Sequence, residues 1–459
     1  MGWSPDTNKD HHSEPFSSQP VSLGLWVGTS LTPNRLGVEG NPFGKDNQPR
    51  DGNALRVLRW GHNLTDSQLS KFPEPAQILS CPACNSDLAY PTNSTIKAPI
   101  NTIHWVCFSK NITQQNIISI CQAQTNVNSA TVHTHQQDII TLSLNTDGLM
   151  GNEATVRELW DAIHTGIQAN GGMLFNRAIR PGRPGYFPRS HWNPKRKVSK
   201  TVDFVIHCPN PTCDLNRRVW QGAMPAGVRS GVAKPNSQTV YACDGWKDSS
   251  DGDVHRGMPI PAYTVDEQIY QKCPSIVVST VDKFAQLPRQ STGKIGQLFG
   301  AVGSYHQDTG FERSSEPSTE FISNFSAQRG LKPPNLIVQD ELHLIEGPLG
   351  SMVGFYETVI DKLMSEHPSL ENYKPKYVAS SATINRGEEQ VQCLFNRTTN
   401  LFPPKGITWK DRGFIVERDD EHPSSRGDEK GRLFLGICPI GQSCLLYTSD
   451  AADEGDSVD

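Results

Sequence analysis

The sequence predicts an α/β chain: a parallel sheet flanked by helices, carrying a cysteine-containing α+β insertion. Three observations predict it. The apolar runs "SIVVST" (275–280), "NLIVQD" (335–340) and "KYVASSAT" (376–383) are continuous rather than alternating, as in strands buried on both faces of a parallel sheet. Between the last two lies a stretch of helical period, which makes a strand–helix–strand crossover. Upstream, two short-spaced cysteine pairs, Cys81/Cys84 and Cys208/Cys213, sit among turn-forming residues.

Along the chain, the first twenty residues are polar and read as a flexible lead. "VSLGLWVG" (21–28) is the first strand candidate, and residues 29–75 are rich in breakers such as "TPNR" and "KFPEP". "TIHWVCF" and "DIITLSL" read as strands. "EATVRELWDAIHTGIQAN" (153–170) reads as an amphipathic helix with Trp160, Ile163 and Ile167 on one face and "NGG" at its end. "RAIRPGRPGYFPRSHWNPKRKVSK" (177–200) reads as a basic, proline-rich loop. In the crossover helix, Leu349, Met352, Val353, Tyr356, Val359, Ile360, Leu363 and Met364 recur at helical spacing. "GRLFLGI" (431–437) follows a charged linker and begins a further unit.

Composition narrows the classes. The 459 residues suffice for two or three domains. No apolar run approaches the roughly 20 residues that span a bilayer, and the N-terminus lacks the apolar core of a secretion signal. A cytoplasmic protein without a membrane partner is expected. The last sixteen residues, "CLLYTSDAADEGDSVD" (444–459), read as a translated sequencing adapter. Their five acids account for the whole excess of 48 acidic over 43 basic residues, so net charge says nothing about partners.

The chemistry concentrates at three strand ends, where open parallel sheets place their ligands. Asp340-Glu341-Leu342-His343 follows an apolar strand. In nucleotide-hydrolysing motors an Asp there holds magnesium, the next Glu activates water, and a His two residues on couples the site to its neighbour; the plain alternative is an acidic turn capping the next helix. Ser381-Ala382-Thr383 ends the following strand, where small hydroxyls can bond the carboxylates and relay nucleotide state. "STVDKFAQLP" (279–288) offers Thr280 and Lys283 to the phosphates of a single nucleic-acid strand; alternatively Asp282 begins a helix there. A phosphate loop needs Gly-x-x-x-x-Gly-Lys-Ser/Thr. Gly44-Lys45 is followed by Asp46 and Gly293-Lys294 by Ile295, so neither fits.

"CPAC" (81–84) has the form of a zinc knuckle, and "CPNPTC" (208–213) supplies a second proline-containing pair; together they could form a four-cysteine zinc site. Cys107, Cys121 and Cys243 are alternative ligands, and unrelated thiols are the plain alternative. Cys273, Cys393 and Cys438 read as core residues.

Together these motifs resemble superfamily 2 helicases of the DEAD/DEAH class. More narrowly, "PNLIVQDELHLIEGPLGSMVGFYETVIDKL" (334–363) resembles the large helicase subunit of the DISARM phage-defence system. "LGLWVG…TPNR", "CPNPTC", "TVDKFAQLP", "VASSATI…EEQVQCLF" and "GRLFLGI" follow in family order. The resemblance implies a RecA-like first motor domain at 21–30 and 270–415, an insertion with a zinc module at 31–269, a linker and the start of a second RecA-like domain at 416–443, and an artefactual tail at 444–459. It implies that the phosphate loop lies upstream and the arginine fingers downstream, so that the chain is an internal fragment. It carries over Asp340, with Gln339, as the site for ATP and magnesium, Glu341 and His343 as catalytic partners, Ser381, Ala382 and Thr383 as the coupling motif, and Thr280, Asp282 and Lys283 as the strand-contacting loop. DNA and other defence-system subunits are the implied partners. The competing expectation is a zinc-dependent nucleic-acid-binding module whose motor fold is structural.

Overall fold

A computed structural model describes residues 21–28, 31–37, 53–136, 138–193, 198–213, 215, 260–284, 298–299, 304–306, 310–312, 333–365, 370, 373–381 and 387–402. The chain divides into two compact units, Met1–Arg397 and Thr398–Asp459. The lead, the linker with "GRLFLGI", the tail, both Gly-Lys pairs, Ala382 and Thr383 lie outside the described residues, as do Cys243 and Cys438.

The expected parallel strands are present. Strand β1 (Leu23–Trp26) is followed by helices α1 (Ala54–Trp60) and α2 (Asp66–Leu69). Strand β2 (Ala98–Lys110), helix α3 (Gln114–Gln122), strands β3 (Ser129–Gln136) and β4 (Ile139–Gly151), helix α4 (Glu153–Ala169) and strand β5 (Met173–Asn176) come next. Strands β6 (Tyr186–Asn193), β7 (Val198–Ile206) and β8 (Ala262–Tyr263) precede helix α5 (Asp266–Lys272), strand β9 (Ile276–Ser279) and helix α6 (Val281–Phe284). A short antiparallel pair, β10 (Ser304–His306) and β11 (Gly310–Glu312), leads to strand β12 (Leu336–Gln339), helix α7 (Gly347–Ser365), strand β13 (Lys376–Ala379) and helix α8 (Gly387–Phe395).

β1 pairs in parallel with β8 and β9, and β12 pairs in parallel with β13, Leu336 facing Lys376 and Gln339 facing Ala379. One apolar core lies under both groups: Trp26, Ile269, Tyr270, Phe299, Ile360 and Met364, with Val277 and Ile337 against them. The alternate residues point the other way. Ile276, Val278, Leu336 and Val338 are each about half exposed or more. This corrects the expectation of burial on both faces: among the described residues, helices cover one face only. The crossover helix likewise buries Val353, Ile360 and Met364 but exposes Leu349, Met352 and Val359.

The insertion is built differently. Its sheet runs β3-β4-β2-β5, all antiparallel, and packs on α3 and α4 around Ile103, Trp105, Leu142, Leu144, Val156 and Ile163. Helix α4 starts where Asn152 accepts hydrogen bonds from the Ala154 and Thr155 amides (3.0 and 3.4 Å), which satisfies amide groups that have no partner within the helix.

The basic loop expected at 177–200 is also corrected. Much of it is the antiparallel ribbon β6–β7, and two of its arginines are interior. Arg180 bonds Glu153 (Nη2 to Oε2, 2.9 Å) and the carbonyls of Val57 and Leu58. Arg183 bonds Glu74 (2.8 Å), Thr92 and the Tyr90 carbonyl. Positive charge counted along a sequence looks solvated; here buried Glu153 and partly buried Glu74 claim it. Gly182 is needed for this arrangement, because a Cβ there would lie 2.3 Å from Glu153 Cγ. Burial raises the Glu153 carboxyl, but Arg180 and Arg183 outweigh it and bring it down to about 2.

Removing one member of such a group leaves uncompensated charge, so Glu153→Ala is expected to cost about 3–5 kcal/mol in chemical denaturation. A loss below about 1 kcal/mol would show the group to be dispensable. Because its folded pKa is depressed, the Glu153 contribution is present above about pH 4.5 and lost as pH falls towards 2. The stability difference between wild type and Glu153→Ala should shrink over that window.

Candidate metal centre and strand-end site

The four cysteines singled out in the sequence meet. The sulfurs of Cys81, Cys84, Cys208 and Cys213 all lie within 4.8 Å of one another. Cys81 is 3.8 Å from Cys213 and Cys84 is 3.5 Å from Cys208, far beyond a disulfide bond of about 2.05 Å. Tetrahedral zinc with bonds of about 2.3 Å requires sulfur separations of about 3.8 Å. The cluster could hold a metal ion and is compatible with zinc.

Local structure explains the convergence. After Cys84 the chain reverses through Asn85 in the left-handed region (φ 61), with the Asn85 amide donating to the Cys81 carbonyl (2.9 Å) and the Cys81 amide to the Ser86 carbonyl (2.9 Å). On the second pair, the Cys213 amide donates to the Asn210 carbonyl (3.1 Å). The Asn210 side chain crosses to the first turn, donating to Ser86 Oγ (3.0 Å) and Cys84 Sγ (3.7 Å). Cys81, Cys208 and Cys213 are buried in an apolar core with Leu88, Tyr186, Phe204 and Val265. Hydrogen bonds from Cys208 and Cys213 push the Cys81 thiol down, towards thiolate, while the Cys208 thiol is pushed up by its bonds to Cys213 and Cys81. Cys107 and Cys121 lie in the separate core of the four-stranded sheet. Cys393, expected in a core, is exposed, and Cys273 is partly buried.

The second site lies at the carboxyl ends of β12 and β13. The parallel register carries Asp340 and Ser380 out side by side, and the Ser380 amide bonds the Gln339 carbonyl (2.9 Å). Asp340 Oδ1 accepts from the Ser380 hydroxyl and from the Glu341 amide (3.0 Å). Glu341 adopts a left-handed backbone (φ 49, ψ 50), a conformation that costs a non-glycine residue energy. Its carboxylate lies 3.2 Å from His343 Nδ1, which is 3.3 Å from Ser381 Oγ. Gln390 of α8 donates to the carbonyls of Leu342 and Ile345 (2.8 and 2.9 Å), fixing the turn after Glu341. Gln339 turns its amide onto the Asp340 carbonyl (2.9 Å). Asp340 and Glu341 are exposed. The arrangement can offer carboxylate oxygens to a cation and a Glu–His pair to a proton.

The 279–288 segment divides. Thr280 and Asp282 are exposed, but Lys283 is fully buried. Its Nζ donates to Asp266 Oδ2 (2.6 Å) and Asn34 Oδ1 (3.0 Å). Asp266 is in reach of Tyr270 (3.4 Å), which accepts from the Trp26 indole (2.9 Å). Burial pushes the Asp266 carboxyl up, with Lys283 opposing. Lys283 thus ties the β9 end to α5 and to the "TPNR" loop, and in this position its ammonium does not face solvent.

No family model matches the chain. The chain is similar to DISARM protein DrmA of Bacillus paralicheniformis. The two are 44% identical over 190 residues, which is 40% of this chain and 16% of that protein. The match to DrmA supports a DISARM-like relative; the chain spans well under two thirds of DrmA's length. No described helix is long and apolar enough to cross a membrane.

Two participants escaped the sequence. Ser380 is the hydroxyl on Asp340; it follows Ala379, the partner of Gln339, and that register is not written in the sequence. Asn210, between the second pair of cysteines, had no signal beyond its place in the turn.

Zinc measured in the purified chain by plasma mass spectrometry should be close to one ion per molecule and fall several-fold in Cys81→Ser and Cys208→Ser, with loss of thermal stability. Equal metal content in wild type and both variants would remove the site.

Proposed function

We propose that the chain is part of an ATP-dependent nucleic-acid helicase or translocase, acting on DNA within a DISARM-type phage-defence system, and that residues 21–30 and 270–415 belong to a RecA-like motor domain. The observation that carries this reading is the convergence at neighbouring parallel strand ends of Asp340, the Glu341–His343 pair and Ser380–Ser381. Similarity to DrmA supports the defence setting.

In this reading Asp340 is the magnesium ligand. Its Oδ1 is occupied by Ser380 and the Glu341 amide, and no hydrogen bond is made to Oδ2 among the described residues, which suits a cation ligand. Bound magnesium supplies charge neutralisation of the transferring phosphate. Glu341 accepts the proton of the attacking water, His343 orients that carboxylate, and Ser381 links His343 to β13. Thr280 contacts a strand backbone while buried Lys283 positions its turn. The zinc module braces the insertion, and defence-system subunits are partners of the whole protein.

General-base removal costs about 10²–10⁴ in rate. In the longer protein, with a phosphate loop present, Glu341→Gln should therefore lower DNA-stimulated ATP hydrolysis at least 100-fold while leaving DNA binding intact. Undiminished hydrolysis would exclude the role. The 459-residue chain, which lacks a phosphate-loop motif, should not turn over ATP by itself; DNA-stimulated turnover that vanishes in Glu341→Gln would contradict that.

The cysteine geometry favours a second reading, a zinc-dependent nucleic-acid-binding module with a structural motor fold. It predicts DNA affinity that falls with chelation and is indifferent to Glu341→Gln in every context. The motor reading predicts instead that ATP hydrolysis depends on Glu341.

A further inference from the structure

A cavity of about 250 Å³ opens on the insertion, between the turn after α1, helix α4 and the end of β5. Its wall includes Arg59, His62, Trp160, His164, Phe175 and Asn176. None of these residues takes part in the metal cluster or the strand-end site.

Three facts mark it as a binding site. First, it concentrates unmet hydrogen-bonding capacity. The buried atoms His62 Nδ1, His164 Nδ1 and Asn176 Oδ1 all belong to lining residues and have no hydrogen-bond partner. Buried polar atoms are ordinarily satisfied; these three are enclosed in the wall as it stands, so their hydrogen bonding is completed only when the side chains turn toward an occupant.

Second, its apolar surface is flat and aromatic. The His164 ring lies nearly parallel to Trp160 (18°, centroids 6.1 Å apart) and meets Phe175 at 6.4 Å, and Phe175 is 52% exposed. Trp160 is braced from behind by Trp105, edge to face at 5.2 Å.

Third, the charge is at the rim. Arg180 is committed to Glu153 and to backbone carbonyls. Arg59 is exposed, bonds the Ile179 carbonyl (3.2 Å), and has no carboxylate partner among the described residues. His62 is neutral: burial, then Arg180, push it down to about 4. It therefore offers one donor and one acceptor nitrogen rather than a second cation.

The cavity is smaller than the roughly 300–1,000 Å³ of drug-sized pockets. A flat group with mixed hydrogen-bonding edges, of about one heterocycle in size and attached to something anionic, fits this set. We propose that the cavity receives a single unstacked nucleobase, which lies against Phe175 and His164, draws the His62 and Asn176 side chains round to its edge, and presents its phosphate to Arg59. Bases splayed from a strand are bound in this manner, by stacking on aromatic rings and hydrogen bonding of their edges. The base can come from a single strand or from a free nucleoside. The strand as source rests on the nucleic-acid reading above; the cavity's chemistry does not.

The test uses the 459-residue chain with 2-aminopurine, a base whose emission reports stacking, in two forms: placed once within a single-stranded oligonucleotide, and as the free riboside. Strand binding is followed separately by fluorescence polarisation of an end-labelled copy. Expected is an emission change on binding, with affinity for the responding probe at least tenfold weaker in Phe175→Ala and His164→Ala. Arg59→Ala should weaken the strand several-fold and the riboside little. Response of the strand alone identifies a strand-borne base, and response of the riboside identifies a nucleoside site. Riboside binding without any strand binding keeps the cavity proposal and removes the nucleic-acid reading for this chain. Strand binding with silent 2-aminopurine, or equal affinities in Phe175→Ala and His164→Ala, overturns the cavity proposal and leaves the nucleic-acid reading standing. Because Phe175 is half exposed, its substitution separates loss of the site from loss of the fold.

Discussion

The four-sulfur cluster is the constraint that brings the two ends of the insertion together. It sets Cys81 against Cys213 across 132 positions, so the antiparallel sheet lies within a loop whose ends meet at the sulfurs. Closing such a loop costs entropy that rises only slowly with length, and a metal bound by four thiolates could supply far more than that cost. From the cluster, order passes outward through backbone pairing. The end of β7 bonds Ile260 (Ile206 carbonyl, 2.8 Å), and Pro261 bonds Leu23 of β1 (2.8 Å). The same apolar core extends to Val265, the residue that begins α5. Gln268 of α5 adds hydrogen bonds to Asp203 and to the Phe204 carbonyl of β7.

Two buried ionic groups then set positions that apolar packing would leave loose. Glu153, Arg180 and Arg183 lock α4 to the carbonyls at the end of α1. Asp266 and Lys283 lock the β9 turn to α5. Buried ion pairs are poor sources of net stability but severe on any rearrangement that separates them. Their value here is placement. One shapes the back of the cavity beside Arg59 and His62, and the other holds exposed Thr280 at a strand end.

Much of the architecture was legible because its signals are local. Continuous apolar runs marked β9, β12 and β13, helical spacing marked α4 and α7, and two proline-containing pairs marked the four cysteines that meet. The failures share a cause. Arg180 and Arg183 looked like solvent-facing cations, since a sequence does not say which carboxylate, 27 to 109 positions away, will meet them. Apolar strands looked buried on both faces because hydropathy records what a side chain prefers, not whether an element arrives to cover it. Ser380 was passed over for its neighbour because strand register is decided by pairing.

By itself the sequence determined the parallel strands and their crossover helix, the four cysteines of the sulfur cluster and the chemistry available at Asp340, Glu341 and His343. These depend on residue type and short spacing, which propensity and side-chain chemistry read directly. Tertiary structure alone decided which hydroxyl bonds Asp340, that Lys283 is buried against Asp266, and that His62, His164 and Asn176 surround one cavity. Each of those outcomes depends on groups brought together from distant parts of the chain, where geometry and desolvation, rather than residue identity, choose the partner.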